Sequence, residues 1–164
     1  MAVMSGDKEL PRSRPEPVDY KLVFDAMPGM CLILDGAFRI VAQNADHAKA
    51  TLSTNKDIVG KYLFEVFPDN PADSHAYGIA TVRESLVKVM ETRARHVMPT
   101  IRYDVQPESG PFEVRYWDIT NTPILGEDGF VRWIINRAED VTEWVRAPNK
   151  SAGGSRGSTP GASP

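Results

Sequence analysis

Apolar residues recur along the chain with two different periods. Ile79, Val82, Leu86, Val89 and Met90 fall at helical spacing, with Arg83, Glu84, Lys88 and Glu91 opposite them. That pattern predicts an amphipathic helix from about Ser74 to Thr92. Further upstream, the short apolar runs Cys31 to Leu34 and Phe38 to Ala42 flank Asp35-Gly36, a tight-turn dipeptide, and predict a hairpin. Asn44 then suits the cap of a helix over "ADHAKATL". Thr54 and Asp57 stand at capping-box spacing, with Gly60 as a stop. "YLFEVFPDNP" reads as a short apolar turn closed by Pro68 and Pro71. At the front, "DYKLVFDAMPG" predicts a short helix with Leu22, Val23 and Met27 on one face, ending before Pro28.

Three long strands are predicted last: "HVMPTIRYDVQ", "FEVRYWDITNTPIL" and "FVRWIINRAEDV", joined by the turn sequences "PESG" and "GEDG". In the middle one Phe112, Val114 and Tyr116 alternate with Glu113, Arg115 and Trp117, giving an apolar face and an amphipathic face. The order is a strand pair, several short helices, one longer helix, then three strands. It predicts an α+β domain, a five-stranded antiparallel sheet with its helices on one face. The space between such a sheet and its helical cover is a natural place for a small ligand.

Composition sets the limits. A hydrophobic fraction of 41% over 164 residues suits one domain with a real core. Residues 1–18, with "PRSRPEP", read as a disordered Pro-rich arm, and residues 147–164 as a disordered Gly/Ser/Pro tail, leaving 19–146 to fold. A net charge of -3 argues against a nucleic-acid surface. No apolar run approaches the ~20 residues that span a bilayer, and no signal-peptide core is present. The single cysteine, Cys31, cannot form an internal disulfide and reads as a small buried core residue. The expectation is a cytoplasmic protein without membrane contact.

"FDAMPGMCLILDGAFRIVAQNADHAKATL", then "DIVGKYLFEVFP", then the closing "EDVTE" resemble, in that order and spacing, the PAS sensor domain over about residues 20 to 146. The long C-terminal strand region is similar to bacterial PAS modules found in front of sensor histidine kinases. The resemblance implies a PAS fold. It also implies a sensory or interaction module of bacterial signal transduction rather than an enzyme. Such a module responds to a small ligand or a partner, forms homodimers and controls a kinase or other effector. No nucleophile elbow, metal-ligand spacing or phosphate loop argues for catalysis. The alternatives are a haem-based gas sensor on the same fold, and a small α+β ligand carrier or enzyme.

The site expectations follow from this resemblance. Tyr103, Tyr116, Trp117 and Trp133 are candidates for the wall of a ligand pocket, against ordinary sheet packing. Arg115, like Arg102 and Arg137, would meet a carboxylate ligand if it pointed inward, or Glu113 or Glu139 if it pointed outward. The photochemical cysteine motif of flavin-binding relatives is missing from "GKYLFEVFPDN". Haem would need one axial imidazole in an apolar cavity. His75 is the candidate by position, although its polar helix start suits a solvated side chain. His47 is expected on an exposed helix face, and His96 in a structural role. No tightly bound cofactor is expected. Leu22, Val23 and Met27, with the outer sheet face around Trp117, are the expected dimer surface. Asp140 to Glu143 has capping-box spacing and resembles the output junction of PAS sensors: Asp140 would cap a following turn, Glu143 would reach back, Val141 would anchor in the core and Thr142 would add a hydroxyl.

Overall fold

The computed structural model describes residues 16–51, 53–74, 76–106 and 110–147. The arm before residue 16, most of the tail and His75 lie outside the described residues. Helix α1 (Tyr20–Ala26) opens the fold, capped by Asp19, whose Oδ1 accepts from the backbone N–H of Lys21 and Leu22. Strands β1 (Met30–Asp35) and β2 (Ile40–Gln43) form the expected hairpin. Three short helices follow: α2 (Ala45–Thr51), α3 (Asn55–Ile58) and α4 (Leu63–Val66). The capping box of Thr54 and Asp57 forms at the start of α3, and Gly60 takes the left-handed φ of +84° that a glycine adopts without strain.

The long helix α5 (Gly78–Thr92) starts four residues later than its apolar period suggests. Gly78 lies under the Tyr103 ring, where a Cβ would collide with it. The N–H of Ile79 donates to Asp69 Oδ1 from the preceding loop, so a loop carboxylate satisfies the helix start in place of another helical turn.

Strands β3 (His96–Val97), β4 (Ile101–Arg102), β5 (Tyr116–Leu125) and β6 (Val131–Asp140) complete an antiparallel sheet. Its order is β2-β1-β6-β5-β3, with β4 also on β5, so it has six strands rather than five. The difference lies at Pro99, which cannot donate to a ladder and divides one expected strand into β3 and β4. Helix α6 (Thr142–Arg146) leaves the end of β6. Thirteen buried apolar residues fill the space between the sheet and α3, α4 and α5; Leu34, Leu86, Val89 and Ile134 have no exposed surface.

The outer and inner faces of β5 are the reverse of the expectation. Trp117, Ile119 and Asn121 point into the core, while Tyr116 is half-buried on the other face. The stretch 112–115 precedes the strand, so its alternation belongs to an approach loop held by a bridge between Val105 and Glu113. The outer face instead shows Trp133, beside half-buried Ile33, Ile124 and Ile135.

Candidate functional site: a core cavity with two free acceptors

A cavity of about 90 Å³ lies between the sheet and the helices. Leu32, Trp117, Ile119 and Ala138 form its sheet wall, while Leu63, Phe64 and Val82 close it from the helical side. The parity of β6 explains the sheet wall, since Ile134, Asn136 and Ala138 share its inward face. Tyr103 also lines the cavity. Its hydroxyl donates to the Phe67 carbonyl, and burial, then Asp69, pushes its pKa well above the ordinary tyrosine value.

Two of the polar side chains that line this apolar space, His47 and Asn136, are only 5% and 8% exposed. Asn44 places His47. Its Oδ1 accepts from the N–H of Cys31 and of His47, both at 3.0 Å, and its Nδ2 donates to the carbonyls of Met27 and Gly29. One amide thus ties β1, the turn before it and the first turn of α2 together. His47 Nδ1 is 2.9 Å from Gln43 Oε1. Gln43 Nε2 donates to the Ser53 carbonyl, which only accepts. The oxygen of Gln43 therefore faces the ring, and Nδ1 carries the hydrogen. Burial lowers the His47 pKa to about 4. At neutral pH the ring is uncharged and Nε2 is a bare acceptor.

A second polar chain places Asn136. Its Nδ2 donates to Asn121 Oδ1 at 2.7 Å. Asn121 Nδ2 faces Ser85 Oγ at 2.8 Å and the thioether of Met98 at 3.8 Å. The thioether only accepts, which sets the nitrogen of Asn121 toward Met98 and its oxygen toward Asn136. The oxygen of Asn136 is left over. Among the described residues neither this oxygen nor His47 Nε2 has a hydrogen-bond partner, yet every fully enclosed side-chain N or O is bonded. Both atoms therefore open onto the cavity.

Of the aromatic candidates, Tyr103 and Trp117 meet at the cavity, joined by a 2.8 Å bond from Trp117 Nε1 to the Tyr103 carbonyl. Tyr116 and Trp133 do not line it, because strand parity turns them to the outer face; Trp133 is 45% exposed. Arg115 is also outside it, paired with Glu113 at 2.6 Å and Asp140 at 2.9 Å. Arg102 pairs with Asp73 and Asp104, and Arg137 with Glu139. The strand arginines thus take the outward reading. His47 is buried rather than exposed, since Asn44 starts α2 with that side facing the sheet. The Gln43-to-His47 spacing of four residues was the available signal for it. Asn136 had only the alternation of "WIIN". Cys31 is fully buried, and burial raises its thiol pKa.

The end of β6 differs in detail from a capping box. Asp140 Oδ1 accepts from the Thr142 N–H at 2.9 Å, but the cap position is Val141, and Glu143 is exposed without a bond back. Thr142, not Val141, enters the interior: it is 2% exposed, and its Oγ1 accepts from the Tyr116 N–H at 2.9 Å. On α1, Leu22, Val23 and Met27 are exposed, by 64% in the case of Leu22, and the helix has no buried residue.

The sequence profile of the family described as PAS fold matches residues 24–146. The chain belongs to the PAS family. Solved PAS structures are similar to this PAS domain. A sensory box sensor histidine kinase of Vibrio cholerae matches at 19% identity and TM-score 0.52, over 75% of this chain and 89% of that one. A PAS domain of Colwellia psychrerythraea matches at 14% identity and TM-score 0.58, over 76% and 95%. The PAS domain of Bordetella pertussis BvgS matches at 20% identity and TM-score 0.56, over 77% and 89%. No curated protein matches by sequence. PAS domains are sensory modules of signal transduction. No helix among the described residues is long and apolar enough to cross a membrane.

Proposed function

We propose that this PAS domain senses occupancy of its core cavity and passes the state on through β6, the Asp140–Glu143 junction and a homodimer contact to a kinase or other effector. The observation that carries the reading is the placement of Asn136 and Thr142 on one continuous segment. Asn136 borders the cavity, and six residues later Thr142 is fastened to the N–H of Tyr116 at the start of β5. A shift of β6 against β5 therefore acts on α6 directly. The apolar side chains of α1, with Trp144 of α6 at 78% exposure, form surface suited to a second copy.

The test fills the cavity without any ligand. Ala138→Leu adds bulk to its sheet wall. The expected result is a severalfold change in amide exchange over 142–146, together with a constitutive or silent output in a full-length sensor carrying the domain. Unchanged exchange and unchanged output would sink the sensory reading. Native mass spectrometry of the purified chain is expected to give the mass of two copies, and Leu22→Lys the mass of one. A monomeric wild type at high micromolar concentration removes the dimer from the proposal.

A further inference from the structure

The chemistry of the cavity narrows what can occupy it. Resting on the sensory reading above, we infer that the site takes a small uncharged molecule, mainly apolar, that carries a hydroxyl or similar hydrogen-bond donor, received by His47 Nε2 with Asn136 Oδ1 as the alternative acceptor.

Size comes first. At about 90 Å³ the cavity is smaller than the ~150 Å³ apolar cavity that takes up benzene, so its occupant has only a few non-hydrogen atoms. Polarity comes next. The wall is aliphatic and aromatic apart from a few groups, and most of those are already committed. Thr51 Oγ1 donates to the His47 carbonyl, and Trp117 Nε1 and the Tyr103 hydroxyl both donate to backbone carbonyls. What remains open is an acceptor on α2, an acceptor on β6 and the second amide hydrogen of Asn136. Both acceptors are held in that sense by a chain of fixed hydrogen bonds: Gln43 and Ser53 behind His47, Asn121, Ser85 and Met98 behind Asn136.

Two bare acceptors in an apolar space repel a carboxylate or phosphate, and no Lys or Arg lines the cavity to offset an anion. A cation would lose its hydration without gaining a carboxylate. A pure hydrocarbon would fill the volume but leave both acceptors unpaired. A ketone of the same size would likewise leave both acceptors unpaired. Only a neutral donor pairs either acceptor without adding charge, and a site built to receive a hydroxyl discriminates against an analogue without one.

A matched series tests this with the wild-type chain: 1-butanol, butanone and butyrate, each titrated to ~50 mM because ligands of so few atoms bind weakly. Methyl resonances of Leu32, Leu63 and Val82 report occupancy, and the His47 Nε2 nitrogen shift reports the hydrogen bond. The expected result is binding of 1-butanol at least about tenfold tighter than butanone, with an upfield His47 Nε2 shift for the alcohol alone and no effect of butyrate. Equal binding of alcohol and ketone, binding of butyrate, or no response to 1-butanol would overturn the assignment. His47→Phe, which keeps an edge-on ring against Phe67, is expected to remove the preference for the alcohol while retaining apolar binding. If it fails to fold, the wild-type series still decides. Alcohol binding that leaves amide exchange of α6 unchanged would retain the ligand class and reject the sensory reading. A response of α6 to Ala138→Leu without alcohol preference would do the reverse.

Discussion

Asn136 donates its side-chain N–H to the Asn121 oxygen at 2.7 Å, across a register pair of β6 and β5. Asn121 has no exposed surface. Two amides facing each other inside a sheet are tolerable only because each is bonded on; Asn121 continues to Ser85, and Ser85 Oγ lies 2.8 Å from His96 Nδ1. A polar thread therefore runs from a half-buried histidine on β3, past α5, to the cavity.

Removal of two facing members of that thread should cost less than the sum of the two single removals. Asn121→Leu leaves the Asn136 N–H and the Ser85 hydroxyl facing an apolar group, with an expected loss of about 2–4 kcal/mol. The Asn121→Leu/Asn136→Leu double variant is expected to be less destabilised than the sum of the singles by about 1 kcal/mol or more. Urea denaturation of the four proteins measures the coupling. Strict additivity would mean that the two amides stand alone.

Asn44 is the joint of the N-terminal half. Asn44→Ala removes a helix cap and the partners of Cys31 N–H and of two carbonyls. A cap is worth ~1 kcal/mol and each stranded buried group about 1–3 kcal/mol, so a loss of about 3 kcal/mol or more is expected. Asn44→Asp keeps the acceptor but not the donor, and should fall between Asn44→Ala and wild type. An Asn44→Ala loss under ~1 kcal/mol would show that water replaces these bonds.

Stability should fall as pH drops from about 6.5 toward 4. The unfolded chain protonates His47 near its ordinary value of ~6.5, while burial holds the folded value at about 4. Between those values the unfolded state binds the extra proton. His47 therefore contributes stability above pH ~6.5 that is lost on acidification, on the order of 3 kcal/mol in total. Two carboxylates work lower down: Asp104 is held below its usual range mainly by Arg102, and Asp140, against the opposing effect of partial desolvation, by Thr142 and Arg115. His47→Gln is expected to flatten the profile between pH 6 and 4.5 in denaturant titrations. A His47→Gln profile as steep as wild type would place the proton elsewhere.

Thr142→Val retains shape and removes an acceptor from the Tyr116 N–H. The expected cost is about 1–2 kcal/mol, with faster amide exchange at Tyr116 than at Ile119. Exchange at Tyr116 that matches wild type would mean that the junction is held by Asp140 alone.

Much of the architecture was determined by local sequence. Asp35-Gly36, the Thr54–Asp57 box, Pro28 and the 3.6-residue stripe of α5 act within a turn of chain, and a turn of chain is enough to specify them. The ordered motifs of the PAS family carried the fold. Tertiary structure decided the site. Whether Trp117 or Tyr116 faces inward depends on the register of β5 against β6, since one residue exchanges the faces of a strand. Gly78 set the start of α5 because a tyrosine twenty-five residues away lies against it. The cavity belongs to this second class. His47 and Asn136 lie eighty-nine residues apart in sequence, and nothing local marks either as half of a pair. The fold brings their free acceptors to one apolar space, and burial converts two ordinary polar residues into a specification for what may enter it.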